Sequence, residues 1–432
     1  MKRIEPIDHP INATVTLPGS KSYTNRALII AALADGTSTL RQALFSEDTA
    51  YMAEALRQLG IPVKADETAK TFTVEGKGGK IPADRAKLFV GLSGTSARFL
   101  TALAALGHGR YCVDGVARMR ERPMQPLFES IRQLGGTIRP LHKDGCLPIE
   151  IAGHGLRGGT AQMAGDQSSQ YFSALLMAAP YMSEGLDLAV IGDLIHGQYI
   201  TMTIKSMADF GVVATAEEER RFQVAPGQHY AARTYDVEPD ASAASYFFAA
   251  AALTGGTVRV ENLGAESAQG DLAFVDVLAA MGCAVEKSAA HVRVLCPGKL
   301  RGVDIDMGAF SDTFMTLAAL APFAEGPTVI RGIAHTRLQE TDRVSATAQE
   351  LRKLGVSVAE SHDSLRIEPG PMRGATIDPH DDHRIAMSFA LIGLRLPGIA
   401  ISNPECVAKT FPDFFARLEE AVHSTTRSAH RL

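Results

Sequence analysis

Residues 20–40 read SKSYTNRALIIAALADGTSTL. A polar cluster opens the segment, Ala, Leu and Ile fill it, Gly36 ends it and a β-prone run follows. The same arrangement recurs as SGTSARFLTALAALGHGRYCV (93–113), QSSQYFSALLMAAPYMSEGLDL (167–188), DASAASYFFAAAALTGGTVRV (240–260), SDTFMTLAALAPFAEGPTVI (311–330) and DDHRIAMSFALIGLRLPGIAI (381–401). The closing glycines are Gly36, Gly109, Gly185, Gly256, Gly326 and Gly398, spaced 73, 76, 71, 70 and 72 residues apart. A period near 72 marks an internally repeated architecture.

A second half-unit follows five of the copies. It is an amphipathic segment ending in Gly: LRQLG at Gly60, IRQLG at Gly135, MADFG at Gly211, LAAMG at Gly282 and LRKLG at Gly355. Glycine just past the last periodic residue is a helix stop signal. A β-rich stretch such as FTVEG or LRIEPG closes each unit, so a unit reads helix, strand, helix, strand, strand. The sixth is cut short near FPDFFARLEEAV, as terminal repeats often are. The first helix of each unit is apolar nearly all round (ALIIAAL, ALLMAAP, YFFAAAAL), which predicts burial. Buried helices inside a shell of sheets and amphipathic helices make an inverse, inside-out α/β fold.

The bulk numbers narrow the function. A chain of 432 residues exceeds one ordinary core and predicts two domains. Apolar residues at 46% and charged residues at 21% suit a globular protein, and a net charge of −5 argues against general affinity for nucleic acid or anionic membranes. Any anion site is therefore a local concentration of Lys and Arg. The five cysteines (Cys112, Cys146, Cys283, Cys296, Cys406) are odd in number and contain no CxxC pair, which fits reduced thiols better than a disulfide frame or a zinc site. MKRIEPIDHP shows no apolar leader core, so the expected location is the cytoplasm. No apolar run reaches membrane-spanning length.

The polar residues at the starts of the buried helices carry the chemical signal, because a helix N-terminus offers free N–H groups and a positive dipole end. Gly19-Ser20-Lys21-Ser22 offers backbone donors, an ammonium and hydroxyls, and Arg26 lies on the same helical face as Ser22. Ser20 and Ser22 are equally good helix caps. Ser93-Gly94-Thr95-Ser96 is followed by Arg98, and Gly94 permits close approach of a ligand or simply starts a helix. Arg118-Met119-Arg120-Glu121-Arg122-Pro123-Met124, taken alone, reads first as a solvated basic face. Ser168-Ser169-Gln170 suits phosphate or polyol contacts, or capping.

Asp240 and Asp382 read by default as caps. Asp312 stands in the same place with either role open. The densest constellation runs from Arg337 through Gln339, Glu340 and Asp342 to Arg343, and is joined by Asp381, Asp382, His383, Arg384 and Lys409; His383 alone reads as structural. No HExxH, EF-hand loop, GxGxxG or GxSxG is present. A cleft lined by cations and a few carboxylates suits reaction between small polyanions through positioning, electrostatics and acid–base catalysis.

LPGSKSYTNRALIIAALADG, SGTSARFLTALAAL, RMRERPM, SSQYFSALLMAAP, VEPDASAASYF, RLQETDR, DDHRIAMSFAL and AKTFPDFF together resemble the signature blocks of the enolpyruvyl transferase family, in order from about residue 5 to 418. The resemblance is nearest to the branch acting on shikimate-3-phosphate. It implies two inverse α/β domains of three units each with an interdomain cleft, the chain crossing so that 1–18 and 239–432 form one domain and 19–238 the other.

The implied reaction is addition–elimination between phosphoenolpyruvate and the shikimate-3-phosphate hydroxyl, with no metal or organic cofactor, in a monomer without nucleic-acid or membrane partners. By motif position, Lys21, Gly94, Arg122, Gln170, Arg343, Arg384 and Lys409 resemble the phosphoenolpyruvate ligands. Lys21, Ser22, Arg26, Ser168, Ser169, Gln170, His196, Asp312 and Gln339 fall at the shikimate-phosphate end, with Tyr199 beside them. Lys21, Asp312 and Glu340 resemble the catalytic groups.

Four positions depart from the family pattern. His196 lies where a Ser-x-Pro-Tyr run is usual, Gln339 where a Lys is usual, His335 where an Asn is common, and Leu92 replaces an Asn before the Gly94 loop. Three of these fall near the acceptor, so the sequence ties the donor more firmly than the acceptor. One alternative is a paralogue using another hydroxylated acceptor. The branch acting on UDP-N-acetylglucosamine carries a reactive Cys in its second unit, which RMRERPM lacks. A catalytically silent binding domain would not need the full set of acids and bases.

Overall fold

The structure is a computed structural model and describes residues 1–195 and 197–429. Its α-helices are α1 (Lys21–Leu33), α2 (Glu47–Gln58), α3 (Gly94–Ala105), α4 (Gln125–Gln133), α5 (Ser169–Ala178), α6 (Gly197–Asp209), α7 (Ala241–Thr254), α8 (Phe274–Ala280), α9 (Phe314–Leu320), α10 (Arg343–Lys353), α11 (His383–Ile392) and α12 (Phe414–Ala429). The chain divides into two compact units, Gly19–Glu238 and Met1–Pro18 with Pro239–Leu432.

In the unit Gly19–Glu238, α1, α3 and α5 form the interior. Every residue of α3 is buried, as is α1 from Tyr23 onward. Apart from Lys21, Arg26 and Arg98 near their starts, these helices carry no charged side chain, so burial along their length leaves few polar groups to satisfy. A buried Leu or Phe contributes about 2 kcal/mol through apolar surface removed from water, and the core cluster draws such residues from all three helices and from the surrounding sheets.

Each sheet of this unit, among the described residues, has four strands. In one, 85–89 runs parallel to 110–114, which pairs antiparallel with 149–152 and through it with 137–140. In the next, 159–164, 186–191, 221–224 and 214–217 repeat that order. The sheet of the first repeat takes its parallel strand from Thr234–Asp236, at the far end of the same unit.

The other unit repeats the plan with α7, α9 and α11 inside. α7 is buried over its whole length, starts at the Asp240 cap, whose carboxylate accepts from the Ala243 N–H at 3.0 Å, and ends at Gly255 with φ +75°. Its sheet takes its parallel strand from Asn12–Val15. All five glycines after the amphipathic helices, from Gly60 to Gly355, have φ between +82° and +110°, the left-handed cap conformation that their position predicts.

The structure differs from the sequence reading on the cysteines. Cys283 and Cys296 form a disulfide with Cα atoms 4.3 Å apart, while Cys112, Cys146 and Cys406 are free. The reason is register. Cys283 precedes strand 284–287 and Cys296 follows strand 291–295, and these two strands pair antiparallel, with Ala284 opposite Leu295.

Candidate active site

In the unit Gly19–Glu238 the chemistry gathers at the first turns of α1, α3 and α5. Ser20 caps α1, its hydroxyl accepting from the Tyr23 N–H at 3.5 Å. The next residue, Lys21, places its ammonium 3.7 Å from the buried Asp48 carboxylate in the first turn of α2. The Ser96 hydroxyl donates to the Asp48 carbonyl at 3.3 Å and so ties α3 to the same point. Ser22 is half-buried beside Lys21.

Arg26 turns inward and is 1% exposed. Its guanidinium donates to the Thr203 hydroxyl (2.7 Å), the Ser22 carbonyl (3.0 Å), the Tyr199 carbonyl (3.1 Å) and the Ser173 hydroxyl (3.3 Å), with Phe99 beneath it at 5.3 Å. None of these partners is a carboxylate, and burial pushes the guanidinium down to about 10. The cation is thus held by neutral groups alone.

Gly94 is the first residue of α3. A Cβ there would lie 2.0 Å from Arg98 Nη1 and 2.9 Å from both terminal nitrogens of Arg122. The missing side chain lets two guanidiniums close on the helix start. Arg98 donates to the Gln170 Oε1 at 3.3 Å and lies over the Tyr171 ring. In the basic block, Arg118 pairs with Glu121 and Arg120 with Asp114 on the surface. Only Arg122 turns in, at 7% exposure. The Tyr171 hydroxyl donates to the Pro123 carbonyl at 2.5 Å and locks the block to α5. Ser168 caps α5 by accepting from the Gln170 N–H at 3.3 Å, and Ser169 is buried behind it. His196 lies outside the described residues.

In the other unit, three cations and three carboxylates interlock. Asp312 accepts from Arg343 Nη1 at 3.0 Å and from Arg384 Nη2 at 2.6 Å. Glu340 accepts from Arg343 Nη2 at 2.9 Å and from Lys409 Nζ at 3.0 Å. Asp382 accepts from Arg343 Nε at 2.6 Å while capping α11 through the Arg384 N–H at 2.9 Å. Burial disfavours the charge on Arg343, but Asp382, Glu340 and Asp312 outweigh it and hold the guanidinium above its usual range. Gln339 accepts from Arg343, and His335 shares a 2.8 Å hydrogen bond with Ser311. Arg337 stands apart, pinned to Asp342, Glu360 and the Ser361 and His362 carbonyls. His383 is fully buried in α11. Among the described residues no group of three or more His, Cys, Asp or Glu is arranged to hold a metal ion.

The family model described as EPSP synthase (3-phosphoshikimate 1-carboxyvinyltransferase) matches residues 6–418. The chain belongs to the EPSP synthase family. It is 50% identical over 414 residues to the 3-phosphoshikimate 1-carboxyvinyltransferase of Nostoc sp. (strain PCC 7120), covering 96% of this chain and 97% of that protein. It is 46% identical to the protein of that name from Opitutus terrae, with 96% of each covered. Among solved structures, EPSP synthase from Acinetobacter baumannii superposes with a TM-score of 0.81 at 27% identity and 97% coverage of both chains. The enolpyruvyl transferase NikO from Streptomyces tendae, at 23% identity and TM-score 0.75, shares the fold, covering 97% of this chain and 96% of that one.

Sequence reasoning missed several members of these clusters. Asp48, the partner of Lys21, hides in SEDT, where Ser46 and Thr49 form a capping box and Asp48 looks like one more first-turn acid. Tyr246 sits within the apolar run of α7, yet its hydroxyl lies 3.4 Å from Arg384. Asp271 is buried and accepts from the Ser242 hydroxyl at 2.6 Å. Burial first, then the nearby Asp312 charge, pushes its carboxyl up to about 7. No local pattern marks Asp271; a carboxylate in a QGDLAF context reads as a helix-start acid.

Proposed function

We propose that the chain transfers the enolpyruvyl group of phosphoenolpyruvate to the 5-hydroxyl of shikimate-3-phosphate and releases phosphate, as the EPSP synthase family name describes. The observation carrying the residue assignments is the pairing in the Arg343 cluster. Asp312 and Glu340, the carboxylates assigned to proton transfer, are bound to Arg343, Arg384 and Lys409, the cations assigned to phosphoenolpyruvate.

An ion-paired carboxylate is a weak base. A phosphate ester carries roughly −1.5 to −2 at neutral pH, and phosphoenolpyruvate adds a carboxylate. That ligand competes for the guanidiniums and the ammonium, and as it takes them Asp312 and Glu340 gain basicity. Substrate binding thereby switches on the groups that move protons.

Lys21, Gly94, Arg122, Gln170, Arg343, Arg384 and Lys409 serve phosphoenolpyruvate. Lys21, Ser22, Arg26, Ser168, Ser169, Gln170, His196, Asp312 and Gln339 serve shikimate-3-phosphate, with Arg26 supplying the buried charge. Asp312 accepts the proton of the attacking 5-hydroxyl while the phosphoenolpyruvate methylene gains a proton from Glu340 or Lys21. The resulting tetrahedral intermediate bears a methyl group. Loss of a methyl proton and departure of phosphate, protonated by the other member of the Glu340–Lys21 pair, regenerate the vinyl group. The sequence forms one C–O bond, breaks another and changes no oxidation state, so it requires no redox cofactor.

The two departures Gln339 and His335 are accommodated by internal partners, Arg343 and Ser311, and no observation favours a different acceptor. The same reading has the enzyme acting as a cytoplasmic monomer on small molecules alone. Its net charge of −5 argues against general affinity for nucleic acid or anionic membranes.

The test is turnover in D₂O. A methyl intermediate requires deuterium in the vinyl group of the product, at a rate that collapses in Glu340→Gln. A product free of deuterium would reject the addition–elimination route.

A further inference from the structure

The turn leading into α11 is strained. His380 and Asp381 are consecutive non-glycine residues with φ of +52° and +56°, a region that side-chain-bearing residues adopt only where their surroundings over-determine it. Two local bonds close the turn, from the His380 N–H to Asp378 Oδ1 and from the Asp382 N–H to the Pro379 carbonyl, each 2.9 Å, and Glu350 ties it to α10. Glu350 lies two helical turns beyond Arg343 on α10 and is 0% exposed. Its Oε1 accepts from His380 Nε2 at 3.1 Å and from Lys353 Nζ at 2.6 Å, and its Oε2 from the Asp378 N–H at 3.0 Å. Asn403 holds the turn from the other side, its amide donating to Asp381 at 2.7 Å.

What this turn delivers is the cation cluster. The next residue, Asp382, closes on Arg343 Nε at 2.6 Å and caps the helix that starts with His383 and Arg384. Asn403 directly precedes the short turn Pro404–Lys409, which carries Lys409. The connections form a ring: Arg343 along α10 to Glu350, across to Asp378 and His380, through the strained turn to Asp382, and back to Arg343.

We propose that Glu350 is a positioning residue for the donor-binding cations, holding the His380–Asp381 turn so that Asp382 and Arg384 meet Arg343 in register. This rests on the assignment of Arg343 and Arg384 to phosphoenolpyruvate made above.

The test is steady-state kinetics in both substrates with melting measured in parallel. Small misplacements of a binding group cost up to about 100-fold, so Glu350→Gln is expected to raise the KM for phosphoenolpyruvate about 10- to 100-fold, and to raise it by more than the KM for shikimate-3-phosphate, only two of whose assigned ligands, Asp312 and Gln339, touch these cations. Glycine adopts positive φ without strain, so adding His380→Gly to Glu350→Gln is expected to recover most of the lost affinity. His380→Ala, at a residue whose side chain is 28% exposed, leaves Glu350 its Lys353 and Asp378 partners, so it tests the idea even if Glu350→Gln does not fold; a raised donor KM is expected. A fall in melting temperature with unchanged donor KM, or a loss that His380→Gly does not repair, overturns the proposal. Arg384→Lys separates the two layers. If it leaves the donor KM unchanged, the underlying assignment fails; if it raises KM while Glu350→Gln and His380→Ala do not, only the role of Glu350 fails.

Discussion

Replacing Asp312 by Asn should produce three effects of different sign. Asp312 bridges Arg343 and Arg384 at 3.0 and 2.6 Å, and both guanidiniums are almost wholly buried. Asn keeps one acceptor oxygen but removes the charge, so three cations then face two carboxylates. Removing one partner of a buried ion pair costs about 3–5 kcal/mol. Asp312 retains 21% side-chain exposure, which places the loss near the lower end, about 3 kcal/mol. For a unit of roughly 200 residues that corresponds to a fall in Tm of roughly 6–12 °C.

Loss of the base that takes the hydroxyl proton should lower kcat about 10²- to 10⁴-fold. Phosphoenolpyruvate, however, no longer has to displace that carboxylate, and its affinity should rise by about tenfold, or ~1.4 kcal/mol. Calorimetric melting, single-turnover quench and titration of phosphoenolpyruvate into the variant saturated with shikimate-3-phosphate measure the three quantities. Weaker donor binding in Asp312→Asn, or a kcat within tenfold of the parent, would refute the argument that these ion pairs mask the catalytic carboxylates.

Three further outcomes follow from single observations. Arg26→Met should lower Tm, because the Thr203 and Ser173 hydroxyls and the Ser22 and Tyr199 carbonyls lose their buried donor, and should weaken shikimate-3-phosphate by roughly 10- to 100-fold through loss of charge-assisted bonds worth about 1.5–3 kcal/mol; equilibrium titration and melting decide it. The Asp271 carboxyl is raised to about 7 in the fold, while in the unfolded chain it ionises near 4. Between those values the folded chain binds more protons than the unfolded one, so this contribution to stability is lost as pH rises from about 4 to 7; Asp271→Asn should flatten that part of the stability–pH curve. Unfolding without reductant should expose three titratable thiols, Cys112, Cys146 and Cys406, and five would contradict the Cys283–Cys296 bond.

The repeat and the burial of the six inner helices are legible in the sequence because both leave local marks. Helices apolar all round cannot face water, and the glycines at positions such as Gly60 and Gly355 mark left-handed caps. What pattern reading misses is pairing between distant segments. Thr234–Asp236 completes a sheet begun near residue 35, and Asn12–Val15 pairs with 257–260; neither strand announces its partner. The site shows the same division. Lys21, Arg122, Arg343 and Arg384 occupy recognisable blocks. Arg118, Arg120 and Arg122 nevertheless look alike until burial separates them, and Asp382 reads as a cap although it also binds Arg343, 39 residues away. The spacing puts Arg26 on the face of Ser22, and it does reach the Ser22 carbonyl, but its inward turn depends on Thr203 and Ser173 from helices far along the chain.

The central claim is that this cation–carboxylate arrangement transfers an enolpyruvyl group to shikimate-3-phosphate. The most direct measurement is phosphate release from phosphoenolpyruvate with shikimate-3-phosphate, shikimate or UDP-N-acetylglucosamine as acceptor. Release with shikimate-3-phosphate alone, abolished in Glu340→Gln, is the predicted result. A folded protein that releases no phosphate with shikimate-3-phosphate, or that prefers another acceptor, would contradict it.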